Sequence, residues 1–238
     1  MHWRRTRTAA QFLGRSIFAI ALSSAAGAAP YSPNEAEFDV LIRGGTIYSG
    51  DAAPFIGDVG VRGDRIVYVG PKAKGAAKRV VSAKGLIVSP GFIDPHTHAD
   101  SALGSDNAVA RLVLPFLTQG VTTAFIGVDG GGSPDLTLLS AGRDYGINFA
   151  SYVGFGAVRS AVIGNADRAP TPLELERMQG LVRSAMCKGA LGLSTGLFYA
   201  PQSFARQDEV VALAKVAGAA GGIYDSHLRD EASYSIGL

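Results

Sequence analysis

Two histidines stand two residues apart after a short apolar run, Gly91-Phe92-Ile93-Asp94-Pro95-His96-Thr97-His98. At the end of an extended segment, side chains at i and i+2 turn to the same side. His96 and His98 can therefore meet at one point, and neutral imidazole is a good zinc ligand. Acids flank the pair, Asp94 two residues before and Asp100 two after, and either could orient a ring by accepting its second N–H. The chain holds 4 histidines, one of them His2. The remaining one, His227, closes the run Gly221-Gly222-Ile223-Tyr224-Asp225-Ser226. Its spacing alone leaves open a ligand or a satisfied strand-end histidine. Beside the H-x-H pair it is a candidate third ligand.

Residues so far apart need a scaffold to bring them together. From residue 88 onward, apolar strand-like runs recur at Gly91–Asp94, Val121–Val128, Phe149–Val153, Gly189–Ser194 and Gly222–Tyr224. Helix-like segments lie between them near Ala108–Thr118, Pro134–Asp144, Leu173–Lys188 and Arg206–Gly218. Thr171 with Glu174 predicts a capping box, with Pro172 at the first helical position. Strands alternating with helices imply a parallel sheet. Polar residues gather at the strand ends: His96 and His98, Asp129, Ser194 and Thr195, His227. A (β/α)8 barrel places its reactive groups there. The expected fold is α/β, a partial (β/α)8 TIM-like barrel of about five strands of the eight over residues 89–238. Because a closed barrel takes about 250 residues, the sequence reads as the front portion of a larger protein.

Residues 36–88 read differently. Short alternating runs at Phe38–Ile42, Thr46–Tyr48, Asp58–Arg62, Arg65–Val69, Arg79–Ser82 and Leu86–Val88 are punctuated by Gly44-Gly45, Gly63-Asp64 and Lys84-Gly85. A small antiparallel sheet is expected, part of a small β-sandwich domain.

The first 29 residues read as an address. Arg4, Arg5 and Arg7 precede the apolar stretch Ile17–Leu22, and Ala26-Gly27-Ala28 supplies a small-x-small cleavage pattern. That stretch is shorter than the roughly 20 residues a membrane span needs. A secretory signal peptide removed near residue 29 is expected, with export to the periplasm and no stable span afterwards. The pair Arg4-Arg5 followed by Phe12-Leu13 also hints at twin-arginine export. The segment carries bases and no acid, so the formal charge of +2 overstates the body of the chain. Charge gives a nucleic-acid partner no support. With 47% hydrophobic and 18% charged residues the chain can bury a core. Its single cysteine, Cys187, excludes an intramolecular disulfide and a multi-cysteine zinc site, and is expected to be buried in the core.

Three stretches together resemble a known family. Ser89 to His98 resembles the metal-binding strand of the amidohydrolase superfamily. Gly189-Ala190-Leu191-Gly192-Leu193-Ser194-Thr195-Gly196-Leu197-Phe198-Tyr199, with Ser226-His227-Leu228-Arg229-Asp230-Glu231, resembles the N-acyl-D-amino-acid deacylase (D-aminoacylase) branch. Phe38-Asp39-Val40-Leu41-Ile42-Arg43-Gly44-Gly45 resembles the start of that family's small β domain. The resemblance implies that His96 and His98 bind one divalent metal, zinc, and that His227 binds a neighbouring one. It implies a substrate pocket bordered by Tyr199, with Ser194 at a strand mouth and Arg229 shaping the same region. The implied reaction is hydrolysis of the amide of a small N-acyl-D-amino acid by metal-activated water.

The sequence departs from the family pattern in three places. Where the family commonly has a metal-bridging cysteine, this chain has Asp129, in Gly127-Val128-Asp129-Gly130-Gly131-Gly132. A carboxylate still ligates zinc but is harder than thiolate, which widens the choice of divalent metal. Phe155 stands between Gly154 and Gly156, where the family often has histidine. The catalytic aspartate, the expected proton shuttle worth about 10²–10⁴-fold, would lie beyond Leu238, together with a further metal histidine. A cyclic-amide hydrolase of the same superfamily, and an inert or merely metal-binding remnant, are the competing readings.

Overall fold

A computed structural model of the chain describes residues 37–136, 138 and 142–230. The expected signal segment, part of the helix expected over Pro134–Asp144, and Glu231 of the last motif lie outside the described residues. The described chain divides into two compact units, residues 37–47 with 53–88, and residues 48–52 with 89–230.

The first unit is a five-stranded sheet of β1 (Phe38–Ile47), β2 (Phe55–Arg62), β3 (Arg65–Gly70), β4 (Ala77–Ser82) and β5 (Ile87–Val88). The order is β3-β2-β1-β4, with β5 beside the end of β1. The two runs expected around Gly44-Gly45 form one strand with a bulge, where the register with β2 shifts between Ile42 and Gly45. Gly44 takes φ +72° there, and its N–H donates to Asp58 Oδ1 at 3.0 Å. The expected antiparallel sheet is in fact mixed, because β4 and β5 both run parallel to β1. Alternation has period two in either pairing, so the sequence pattern could not tell them apart. Phe38, Leu41 and Ala73 form this unit's buried cluster.

The second unit holds β6 (Phe92–Asp94), β7 (Val121–Ile126), β8 (Asn148–Ser151), β9 (Val153–Gly154), β10 (Gly192–Gly196) and β11 (Ile223–His227). All pair in parallel, as β6-β7-β8 and β9-β10-β11. Only Tyr152 separates β8 from β9, and its N–H still donates to Ile126 O at 2.9 Å. The strands thus follow one another in chain order, each delivering the residues after it to the same side. The helices are α1 (Asp100–Leu103), α2 (Leu114–Leu117), α3 (Phe155–Ile163), α4 (Pro172–Cys187) and α5 (Gln207–Ala219).

The predicted capping box is present. Thr171 Oγ1 accepts from the Glu174 N–H, the Glu174 carboxylate accepts from the Thr171 N–H, and Pro172 opens α4. Met178, Val182 and Ala185 turn inward from this helix and pack with Val153, Phe155, Leu193, Val210, Leu213 and Ala217. Cys187 lies two residues past Ala185, about 200° around the helix. It is exposed, which corrects the expectation of a buried thiol.

Two further expectations change. Ala108–Thr118 is not one helix, because Val113 takes φ +48° and ends a 3₁₀ turn before α2 starts at Leu114, with Pro115 in its first turn. Helix α3 was not expected at all. It begins without a side-chain cap at Gly154, so the sequence gives no start signal. Phe155 is fully buried as its first residue, so this position supplies core rather than a polar group. A buried ion pair, Arg159 Nε to Glu209 Oε1 at 3.1 Å, ties α3 to α5. Burial pushes the Glu209 carboxyl up, with Arg159 opposing. Among the described residues no helix is long and apolar enough to cross a membrane.

Leu213→Ala, which empties a fully buried site between α4, α5 and β10, is expected to cost about 2–5 kcal/mol of stability in urea unfolding. Glu174 supplies a pH signature. Its hydrogen bond from Arg168, then that from the Thr171 N–H, hold its carboxyl down from 4.5 to about 2. A lowered folded-state pKa stabilises above the unfolded value and is lost as pH falls through the folded one. The difference in urea midpoint between wild type and Glu174→Gln is therefore expected to be full above pH 4.5 and to vanish toward pH 2.

Candidate metal centre

The end of β6 turns sharply. Asp94 Oδ1 accepts the His96 N–H at 3.2 Å, and Thr97 is fastened to β7 twice, its N–H and its Oγ1 both donating to Phe125 O at 3.0 and 2.8 Å. Thr97 is thus locked inward and the imidazoles on either side face outward over the strand ends. Asp100 caps β7 instead, its Oδ1 accepting the Gly127 N–H at 2.8 Å. Neither flanking acid orients a ring, contrary to the sequence reading.

Asp129 enters from the loop after β7. Its φ is +53°, a left-handed conformation that aspartate tolerates better than most residues. Gly127 and Gly130 beside it are also left-handed. The loop is pinned along its length. Ser194 Oγ donates to Gly127 O at 2.5 Å and accepts the Gly130 N–H at 3.1 Å. Ala157 N–H donates to Gly130 O, and Gly154 N–H to Gly132 O.

The carboxylate this loop carries meets the histidines. Asp129 Oδ1 lies 3.5 Å from His96 Nε2 and 3.8 Å from His227 Nδ1, and Oδ2 lies 3.3 Å from His98 Nε2. Ligand atoms of His96, His98 and Asp129 all fall within 4.8 Å of one another. Ligands about 2.0–2.2 Å from a tetrahedral zinc ion stand about 3.4 Å apart, so the spacing suits a small divalent cation. Asp129 Oδ1 is buried and accepts no hydrogen bond. An unsatisfied buried carboxylate oxygen facing imidazole nitrogens is costly by itself and is what a cation would satisfy.

A residue the sequence reading passed over completes the group. Asp225 Oδ1 lies 3.3 Å from His96 Nδ1, on the far side of the ring from Asp129. It matches the arrangement in which a carboxylate holds one imidazole nitrogen and leaves the other to a metal. The signal was present, since Asp225-Ser226-His227 repeats the spacing of Asp94-Pro95-His96. Asp225 and His227, two apart on β11, project from the same face.

The expected pocket residues separate into two groups. Tyr199 is 44% exposed and its ring centre lies 4.9 Å from that of His227, with Phe198 at 6.0 Å. Ser194 is fully buried beneath the Asp129 loop, where its hydroxyl is spent on that loop. Thr195 is buried too, its Oγ1 sharing hydrogen bonds with Tyr224 and Ser226 at 2.8 Å each. Arg229 points to the loop after β10, donating to Ser203 O at 2.7 Å and Ala205 O at 2.9 Å. The structure thus brings together His96, His98, Asp129, His227 and Tyr199. It sets Ser194 and Arg229 behind them.

No family model matches the chain. Among curated proteins, D-aminoacylase of Alcaligenes xylosoxydans xylosoxydans is 36% identical over 226 residues, covering 84% of this chain and 46% of the relative. N-acyl-D-aspartate deacylase of the same organism is 35% identical, again over 84% of this chain. The chain therefore spans about half the length of the curated relatives it matches. Among solved structures, a D-aminoacylase described with a binuclear metal center superposes with a TM-score of 0.72 at 31% identity, covering 84% of this chain and 47% of the other. The N-acyl-D-glutamate deacylase of Bordetella bronchiseptica, complexed with zinc and a phosphonate inhibitor, superposes at 0.70 with 32% identity, covering 82% and 46%. Over the part that aligns, the chain is thus similar in sequence and in fold to D-aminoacylase and to the N-acyl-D-amino-acid deacylases.

Proposed function

We propose that the protein is a metal-dependent hydrolase of the amide bond in N-acyl-D-amino acids. The observation that carries this reading is the Asp129 carboxylate, whose buried, unsatisfied Oδ1 faces the imidazoles of His96 and His227 while Oδ2 faces that of His98. His96, His98, Asp129 and His227 would hold one or two divalent ions, zinc among them. The nitrogen and oxygen donors suit zinc and also harder divalent metals. A bound ion of this kind supplies a water of lowered pKa and polarises the amide carbonyl.

The chain's own residues do the positioning. Asp225 holds His96 so that Nε2 faces the site. Ser194 holds the Asp129 loop from below, a supporting role rather than a substrate contact. Tyr199, exposed beside His227, borders the space a substrate would enter. Arg229 fixes the segment after Tyr199 by its two carbonyl contacts. The resemblance puts the proton-shuttling aspartate beyond residue 238. The parallel strands with reactive groups at one end support a partial (β/α)8 barrel, and the mixed sheet supports part of a small β domain before it. The basic and apolar N-terminal segment supports export to the periplasm. Linear rather than cyclic amides are favoured by the 34–36% identity to linear deacylases.

The test is release of free amino acid from N-acetyl-D- and N-acetyl-L-amino acids by the protein supplied with zinc, cobalt or manganese. Turnover of D-substrates alone, abolished by a chelator and restored by metal, is expected. Hydrolysis of hydantoins without that of N-acyl-D-amino acids would replace this reading with the cyclic-amide one. Asp129→Ala is expected to lower bound metal measured by mass spectrometry and to reduce kcat/KM at least about 100-fold, as loss of a group supporting the metal does. Tyr199→Phe is expected to raise KM about 3- to 10-fold with metal content unchanged, the size of one lost hydrogen bond.

A further inference from the structure

We propose that Gln202 is a positioning residue for the metal centre, its side-chain amide holding the Asp129 main chain in the left-handed turn that aims the carboxylate at the histidines. This inference rests on the reading of Asp129 as a ligand.

Gln202 lies in the short 3₁₀ turn Gln202–Phe204 after β10. A glutamine in such a loop ordinarily points into water, yet this one is 5% exposed. Both ends of its amide are used. Oε1 accepts the Gly196 N–H at 2.7 Å, and Nε2 donates to Asp129 O at 2.9 Å. One side chain therefore bridges the last residue of β10 to the residue that carries the carboxylate, 73 positions earlier in the chain.

The surroundings leave room for this bridge. A Cβ on Gly130 would come within 2.0 Å of Gln202 Oε1, one on Gly156 within 2.7 Å of the amide, and one on Gly196 within 2.4 Å of Asp129 O. Three glycines thus clear the space in which the amide reaches the Asp129 carbonyl. That carbonyl matters because its orientation follows the torsions of Asp129 itself, the residue at φ +53°. Every other tie to the loop lands on Gly127, Val128, Gly130 or Gly132. Among the described contacts only the Gln202 bond reaches the backbone of Asp129. Removing it leaves the Asp129–Gly130 peptide held only by its N–H on Ser194 Oγ, and so loosens the peptide whose rotation would swing the carboxylate away from His96 and His98.

The test is a double-mutant cycle of wild type, Gln202→Met, Asp129→Ala and the double variant. Methionine keeps the length of glutamine and discards both hydrogen bonds. Zinc dissociation constants are measured by competition with a chromophoric chelator, alongside apo-protein melting temperature and the visible absorption of the cobalt-loaded protein. Gln202→Met is expected to weaken zinc binding about 10- to 100-fold and to shift the cobalt bands. It is expected to have no further effect on affinity in the Asp129→Ala background. A residue with only a structural role would lower the melting temperature and cost the same affinity in both backgrounds. That additive result overturns the proposal, as does affinity within threefold of wild type in Gln202→Met. If Gln202→Met does not fold, Gln202→Glu at pH 8 takes its place, since it keeps the acceptor for Gly196 and loses the donor to Asp129. A wild-type chain that binds no divalent ion, or an Asp129→Ala chain that binds as tightly as wild type, overturns the underlying reading and this inference with it.

Discussion

A carboxylate oxygen sealed from water, with imidazoles before it and no donor to satisfy it, is the constraint on which the second unit depends. Asp129 holds that oxygen in a backbone conformation that most residues avoid. Both the burial and the strain cost free energy, and both persist because the neighbouring elements over-determine them. β7 delivers the loop, β10 contributes Ser194 beneath it, the start of α3 ties down Gly130, and the turn after β10 contributes Gln202. The packed helices α4 and α5 back β9, β10 and β11 in turn. Stability gained in the apolar core is thus spent at the strand ends, where rings and carboxylate must meet.

The site shows a division of labour between residues that touch a ligand and residues that hold them. His98 is the most open of the ring donors, while His96 is gripped between Asp129 and Asp225. This asymmetry gives the two members of the H-x-H pair different freedoms. One ring meets a carboxylate at each of its nitrogens, and the other meets Asp129 alone. Thr97 makes the arrangement possible by anchoring the peptide between them to β7.

The parts of this architecture legible in the sequence were those with local signatures. The H-x-H pair, the acid in the glycine loop and the strand-end histidine announced themselves by residue type. Thr171, Pro172 and Glu174 announced a helix start because that geometry is closed within four residues. What escaped depended on distant partners. Asp225 looks like any acid in a strand until His96, 129 residues away, comes alongside. Gln202 carries no reactive group, so only its burial reveals a role. Helix α3 starts at a glycine with no cap, and Arg159 would not be assigned to an interior without sight of Glu209. The direction of β4 is set by how the chain crosses the sheet, which alternation does not encode.

The separation of the ligands along the chain has a consequence for how the protein comes to be made. His96 and His98 emerge during synthesis well before Asp225 and His227, and bringing such distant segments together carries a loop-closure cost that local structure does not reduce. An ion cannot therefore template the early chain in the way a compact zinc finger is nucleated by its metal. The strands must first assemble in order, with the unsatisfied oxygen already in place. On the proposed reading of the site, an ion would be fitted last, and its free energy would be felt in how slowly the finished unit opens rather than in how quickly it forms.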